Sequence, residues 1–75
     1  MRIEVDAIIA RDGKANVKRL HLDGQWHPVE QGRQWQDEEG RHVLVMLNGR
    51  VHELLLRSRT LCWELHSRTG TQSVA

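Results

Sequence analysis

The side chains with which so short a chain could do chemistry are its histidines, its one cysteine and a run of carboxylates. Five histidines are present, and His27 and His52 occupy equivalent places in two similar stretches 25 residues apart; Cys62 stands alone, and Asp37-Glu38-Glu39 is a local acidic cluster. Imidazole and thiolate both bind zinc, but a closed zinc site collects four donors at tight local spacing. No Cys-x-x-Cys or His-x-His pair occurs, so half-exposed strand histidines are the better account. The acidic cluster could hold a divalent cation loosely, but a solvated loop tip is by far the better account of it. Arg59 precedes Cys62 closely enough to favour a thiolate, yet no histidine is placed beside it, and a lone cysteine ordinarily packs as a small hydrophobe. With no glycine-rich phosphate loop and no nucleophile elbow, the chain reads as non-catalytic and without a cofactor.

These groups must be positioned by one domain, because 75 residues are close to the size at which a single core barely offsets the entropy of ordering. Composition is 39% hydrophobic and 28% charged, which places the chain among folded proteins. Eleven basic residues against 10 acidic ones, a net charge of +1, exclude a whole-chain electrostatic footprint for nucleic acid. The apolar runs fall short of a membrane helix. The single cysteine and the absence of a basic-then-apolar leader suggest a cytoplasmic, bacterial-type protein with no membrane partner.

The strongest structural signal is Val43 to Leu56, two apolar runs around Asn48-Gly49. Asn-Gly suits a two-residue type I′ turn because both central residues need positive φ. Asp23-Gly24 gives the same signal between Leu22 and Gln25, and Asp12-Gly13 between Arg2 to Arg11 and Ala15 to Leu22. A two-residue turn at Asp12-Gly13 sets Asp6 opposite Arg19, Glu4 opposite His21 and Val5 opposite Leu20, which are complementary or apolar pairs. Pro28 ends a third strand or confines it to an edge. Residues 30 to 41 are polar with Gly32 and Gly40, and read as a loop or a short helical turn with Trp35 folded back as a lid. Leu61, Trp63 and Leu65 alternate in a last strand.

The expected fold is therefore all-β: a six-stranded antiparallel meander, barrel-like or strongly coiled, in one domain over residues 1–66 with a flexible, disordered tail over 67–75. Its core would be Ile3, Val5, Ala7, Ile9, Leu20, Leu22, Val29, Val43, Val45, Leu47, Leu54, Leu56, Leu61, Trp63 and Leu65. Ile8, Val17, Trp26, Leu44, Met46, Val51 and Leu55 are then left pointing outward, and the central hairpin is apolar on both sides. One face of an antiparallel sheet is normally solvated, so a second copy of the chain or another protein is expected to cover it through Trp26, Leu44, Met46, Val51 and Trp35. The alternative is a small barrel binding single-stranded nucleic acid, with Lys18, Arg19, Arg57 and Arg59 on phosphates and Trp26 stacking on bases.

From Leu20 to Leu65 the order of Gly24, Trp26, Val29, Trp35, Gly49, His52, Glu53, Leu54, Trp63 and Leu65 resembles a family of short uncharacterised bacterial β domains. These stand alone or form C-terminal appendages of error-prone DNA-polymerase-like proteins. The chain departs from that pattern with His52 in place of a tyrosine and with no aromatic on the strand before Asn48. The resemblance implies an accessory domain near DNA-processing machinery and assigns no catalytic residue.

Overall fold

The computed structural model describes residues 2–67; the expected tail, apart from Ser67, lies outside the described residues. Seven strands follow in order: β1 (Glu4–Ile9), β2 (Ala15–Leu22), β3 (Gln25–Pro28), β4 (Glu30–Gln36), β5 (Gly40–Leu47), β6 (Arg50–Arg57) and β7 (Trp63–Ser67). They form two antiparallel sheets, β1-β2-β3 and β4-β5-β6-β7. The chain is all-β, but it is neither a six-stranded meander nor a closed barrel. Among the described residues no helix is long and apolar enough to cross a membrane.

Local chemistry accounts for the hairpins. Asp23 and Gly24 have φ of 52° and 77°, and Asn48 and Gly49 have 53° and 76°, so both pairs make the I′ turns that their sequences favour. The first hairpin differs. Only Gly13 has positive φ at its turn, and Ala10 exchanges backbone hydrogen bonds with Lys14 and Gly13, which makes the loop three residues long. A bulge at Lys18 then absorbs the extra residue, so that Asp6 pairs with Arg19, Val5 with Leu20 and Glu4 with His21, while Ala7 pairs with Val17. The offset turns Val17, expected outside, into the core.

The sheets pack face to face. Ala15, Val17 and Leu20 from the first meet Val43, Val45, Leu47 and Leu54 from the second, with Ile3, Val5, Ala7, Leu22, Val29, Trp63 and Leu65 packed around them. Each fully buried leucine or valine contributes roughly 1.5–3 kcal/mol through removal of apolar surface from water. Three expected core residues are absent from this cluster: Ile9 at the end of β1, 49% exposed, Leu61 in the β6–β7 turn, 72% exposed, and the half-buried Leu56. Leu61 has φ of 56°, held by a hydrogen bond from its amide to the Arg57 carbonyl. Turn geometry, not apolarity, sets its direction. Leu55 was expected outside and is instead buried.

The segment read as a loop is mostly β4, and its role explains its polarity. β3 covers only Arg19 to Leu22 of β2, leaving the first half of β2 without a strand neighbour on that side. Gln31 and Gln34 fill the gap with side-chain amides. Val17 N–H donates to Gln31 Oε1 at 2.6 Å and Ala15 N–H to Gln34 Oε1 at 2.8 Å, while both Nε2 groups donate to the Ala15 carbonyl at 2.9 Å. A bulge between Gln31 and Gln34 in the β4–β5 pairing aims both amides the same way. On the opposite side the sheets touch where the Ile3 amide donates to the Trp63 carbonyl and Arg2 bridges to Glu64. This short contact does not extend along β1, so the barrel stays open.

Replacing Gln31 or Gln34 with leucine leaves buried β2 backbone groups without partners and is expected to cost about 1–3 kcal/mol each. Urea denaturation of both variants and of the double variant checks this; a change near zero would show that the amides are dispensable.

Candidate functional site

A dense cluster of charged groups lies on the outer face of the second sheet. Alternation along β5 sends Val43, Val45 and Leu47 inward and leaves His42, Leu44 and Met46 on the other side. His42 sits opposite Leu55 on β6 and Trp35 on β4, and it is only 5% exposed. The Trp35 ring lies parallel to the imidazole at 5.0 Å between centroids, with the Arg33 guanidinium 5.7 Å over the indole.

Both imidazole nitrogens are engaged by carboxylates. Glu53 Oε2 lies 2.5 Å from Nδ1, both Asp37 oxygens lie 2.9 Å from Nε2, and Glu39 Oε1 lies 3.9 Å from Nε2. Asp37 and Glu39 are placed by the tight β4–β5 connection, in which the Asp37 amide donates to the Gly40 carbonyl and the Glu39 amide to Asp37 Oδ1. Gly40 has φ of 146°, and a Cβ there would collide with the Leu56 carbonyl; only glycine lets the turn approach β6 so closely. Burial draws the imidazole toward its neutral form, but the hydrogen bonds it donates to Glu53 and Asp37, with their charges, outweigh it and raise His42 above the ordinary histidine value. The same contact with His42 holds Asp37 below its ordinary value.

Beside this cluster Arg57 makes a two-pronged pair with Glu64, Nε and Nη2 each 3.0 Å from a carboxylate oxygen, and reaches Glu39 at 3.4 Å. His66 Nε2 lies 3.1 Å from Glu64 Oε1. A cleft of about 230 Å³ lined by Glu39, His42, Glu53, Leu55, Arg57 and His66 opens between them.

Of the residues expected to form an interaction surface, Leu44, Met46 and Val51 share this outer face, Met46 pairing directly with Val51. Trp35 shares it too but is half-buried against His42. Trp26 belongs to the other sheet, 4.9 Å from His21 and with Arg19 5.0 Å over its ring. The residues of the nucleic-acid alternative are divided: Lys18, Arg19 and Trp26 lie together on β2 and β3, Arg57 is tied to Glu64 and Glu39, and Arg59 lines a cleft with Glu38, Glu39 and Glu64. Arg19 is itself paired with Asp6 at 3.0 Å. His27 pairs with Leu20 and His52 with Val45, so the equivalent histidines face the core from opposite sheets, and the buried His52 Nδ1 has no hydrogen-bond partner. Cys62 is half-buried, and its Sγ accepts a hydrogen bond from Arg2 at 3.1 Å rather than meeting Arg59. His42 itself was passed over in the sequence; the signal was a polar ring at an outward position of an apolar strand, five residues after Asp37.

No protein-family model matches this chain, and no curated protein or solved structure is significantly similar to it. Function therefore rests on the geometry of the described residues.

Two outcomes follow from the charge cluster. A double-mutant cycle with His42→Ala and Glu53→Gln, read by chemical denaturation, is expected to give a coupling energy of about 1–3 kcal/mol; no coupling would mean that the pair does not act as a unit. The hydrogen bonds from Arg57 pull Glu64 from its ordinary 4.5 down to about 2, against the opposing effect of burial and with help from His66. A depressed carboxylate stabilises the fold above its unfolded value and loses that contribution as pH falls through the folded one. Melting temperature should thus fall between pH 4.5 and 2, and Glu64→Gln should flatten that decline; an equally steep decline in the variant would refute the assignment.

Proposed function

We propose that this chain is a non-catalytic interaction module that associates with a second copy of itself through the outer face of its second sheet. The observation that carries this reading is the apolar row Leu44, Met46 and Val51 on a face that elsewhere is densely paired and charged. Met46 is 40% and Val51 37% exposed. They border a groove of about 260 Å³ that Glu30, Gly32 and Arg33 complete. Gly32 keeps the groove open, since a Cβ there would rest against Leu44 at ordinary contact distance.

A second copy fits because the flanks are self-complementary. Across the face, Arg33 of β4 lies on one side of Leu44 and Glu53 of β6 on the other. A two-fold axis running along β5 sets Arg33 of each copy beside the Glu53–His42 pair of its mate, with Glu53 keeping its bond to Nδ1, and packs the apolar rows together as in aligned sheet stacking. The resemblance to accessory domains of DNA-processing proteins agrees with a module that joins other components. Single-strand binding draws less support, because Arg19 and Arg57 are engaged by carboxylates.

Sedimentation over a concentration series tests the reading. The wild type is expected to show a monomer–dimer equilibrium, and Met46→Lys to remain a folded monomer with an unchanged circular dichroism spectrum. Gly32→Val, which fills the groove without backbone strain, should also weaken association. A wild type monomeric at every concentration sinks the proposal. Comigration with a labelled single strand at low salt, released at high salt, would favour nucleic-acid binding instead.

A further inference from the structure

We propose that Asp37, Glu39 and His42 form a binding site for one divalent transition-metal ion of the zinc class, with Glu53 as the group that orients the imidazole. One donor atom from each of the three residues lies within 4.8 Å of the others. Metal–ligand bonds of about 2.0–2.2 Å place neighbouring donors on the order of 3 Å apart. The separations of 2.9 Å from Nε2 to Asp37 and 3.9 Å to Glu39 bracket that spacing, so an ion enters with side-chain shifts well under the length of a bond.

The site is more than a group of acidic side chains. Its nitrogen donor belongs to a ring buried to more than nine-tenths, stacked on Trp35 and held from behind by Glu53 at Nδ1. A carboxylate on the far nitrogen is the arrangement that sets the tautomer of metal-bound histidines: Nδ1–H donates to Glu53, and Nε2, once it gives up the proton it shares with Asp37, offers its lone pair to the turn where Asp37 and Glu39 stand. On binding, the proton between Nε2 and Asp37 leaves to solvent and the ion takes its place. One imidazole with two carboxylates suits zinc, cobalt or manganese better than magnesium or calcium, which prefer oxygen alone. The cleft beside His42, about 230 Å³, leaves space for water at the remaining coordination position.

Calorimetric titration of the chelator-treated full chain with zinc chloride, paired with the visible spectrum of the cobalt complex, tests the site. The expected result is saturable binding of one ion per chain, with a cobalt spectrum showing nitrogen coordination. Asp37→Asn and Glu39→Gln lie on the exposed turn and should keep the fold while weakening binding at least tenfold. His42→Asn should abolish it, and Glu53→Gln should weaken it by about 10–100-fold, as loss of an orienting carboxylate does. His21→Ala, at the surface of the other sheet, and Met46→Lys should bind as the wild type does, which separates this site from the association face. Absence of saturable binding in the wild type overturns the proposal, and so does affinity unchanged in Asp37→Asn or lost in His21→Ala.

Discussion

The structure depends on how the free edge of β2 is satisfied. A strand interior buried against a second sheet cannot leave its amides and carbonyls without partners, since each unmade hydrogen bond costs as much as a core methyl group or more. β3 ends at Pro28, which has no amide to donate, and the chain then crosses to the other sheet. Two glutamine amides take over where the strand stops, each offering a donor and an acceptor as a peptide group does. Because β3 and β4 are almost continuous, this seam also joins the two sheets along one side. The remaining contacts between sheets are the core cluster and the Ile3–Trp63 hydrogen bond.

The same strand, β4, prepares the outer face. Its bulge turns Gln31 and Gln34 inward and leaves Gly32 and Arg33 outside, opening the groove over Leu44. Its far end supplies Trp35 to His42, and the turn that follows supplies Asp37. The outer face is thus divided into two territories, a polar one where an imidazole is enclosed by an indole and carboxylates, and an apolar one of Leu44, Met46 and Val51. Burying a histidine between two carboxylates is costly in desolvation, and its cross-strand neighbour Leu55 is buried beside it. Such a cluster is therefore a constraint on local shape as well as a store of charge.

How the sequence erred is instructive in physical terms. The register of Glu4, Val5 and Asp6 against His21, Leu20 and Arg19 was legible from complementary pairing, yet the face of Val17 was not. The turn at Asp12-Gly13 takes one more residue than its dipeptide signals, and the Lys18 bulge compensates for it; two cancelling irregularities leave the far register intact and invert the part between. Residues 30 to 36 lack the apolar alternation of a strand because their inward side chains face backbone instead of a core. Leu61 sits in the β6–β7 turn with positive φ, which alternation cannot anticipate, and Ile9 ends β1 half-exposed.

For the candidate site, the acidic run was visible at Asp37 to Glu39, while His42, next to the first core residue of the central hairpin, drew no reading of its own. That these meet was not visible, because the meeting requires the close turn at Gly40 and the placement of Trp35 on a strand that pattern alone did not reveal. By itself the sequence determined the all-β class, both I′ hairpins and the apolar excess on the central one, since turn chemistry and period-two alternation act over a few residues. The tertiary structure decided the division into two sheets, the glutamine seam and the enclosure of His42, since each depends on which distant backbone or side chain lies opposite.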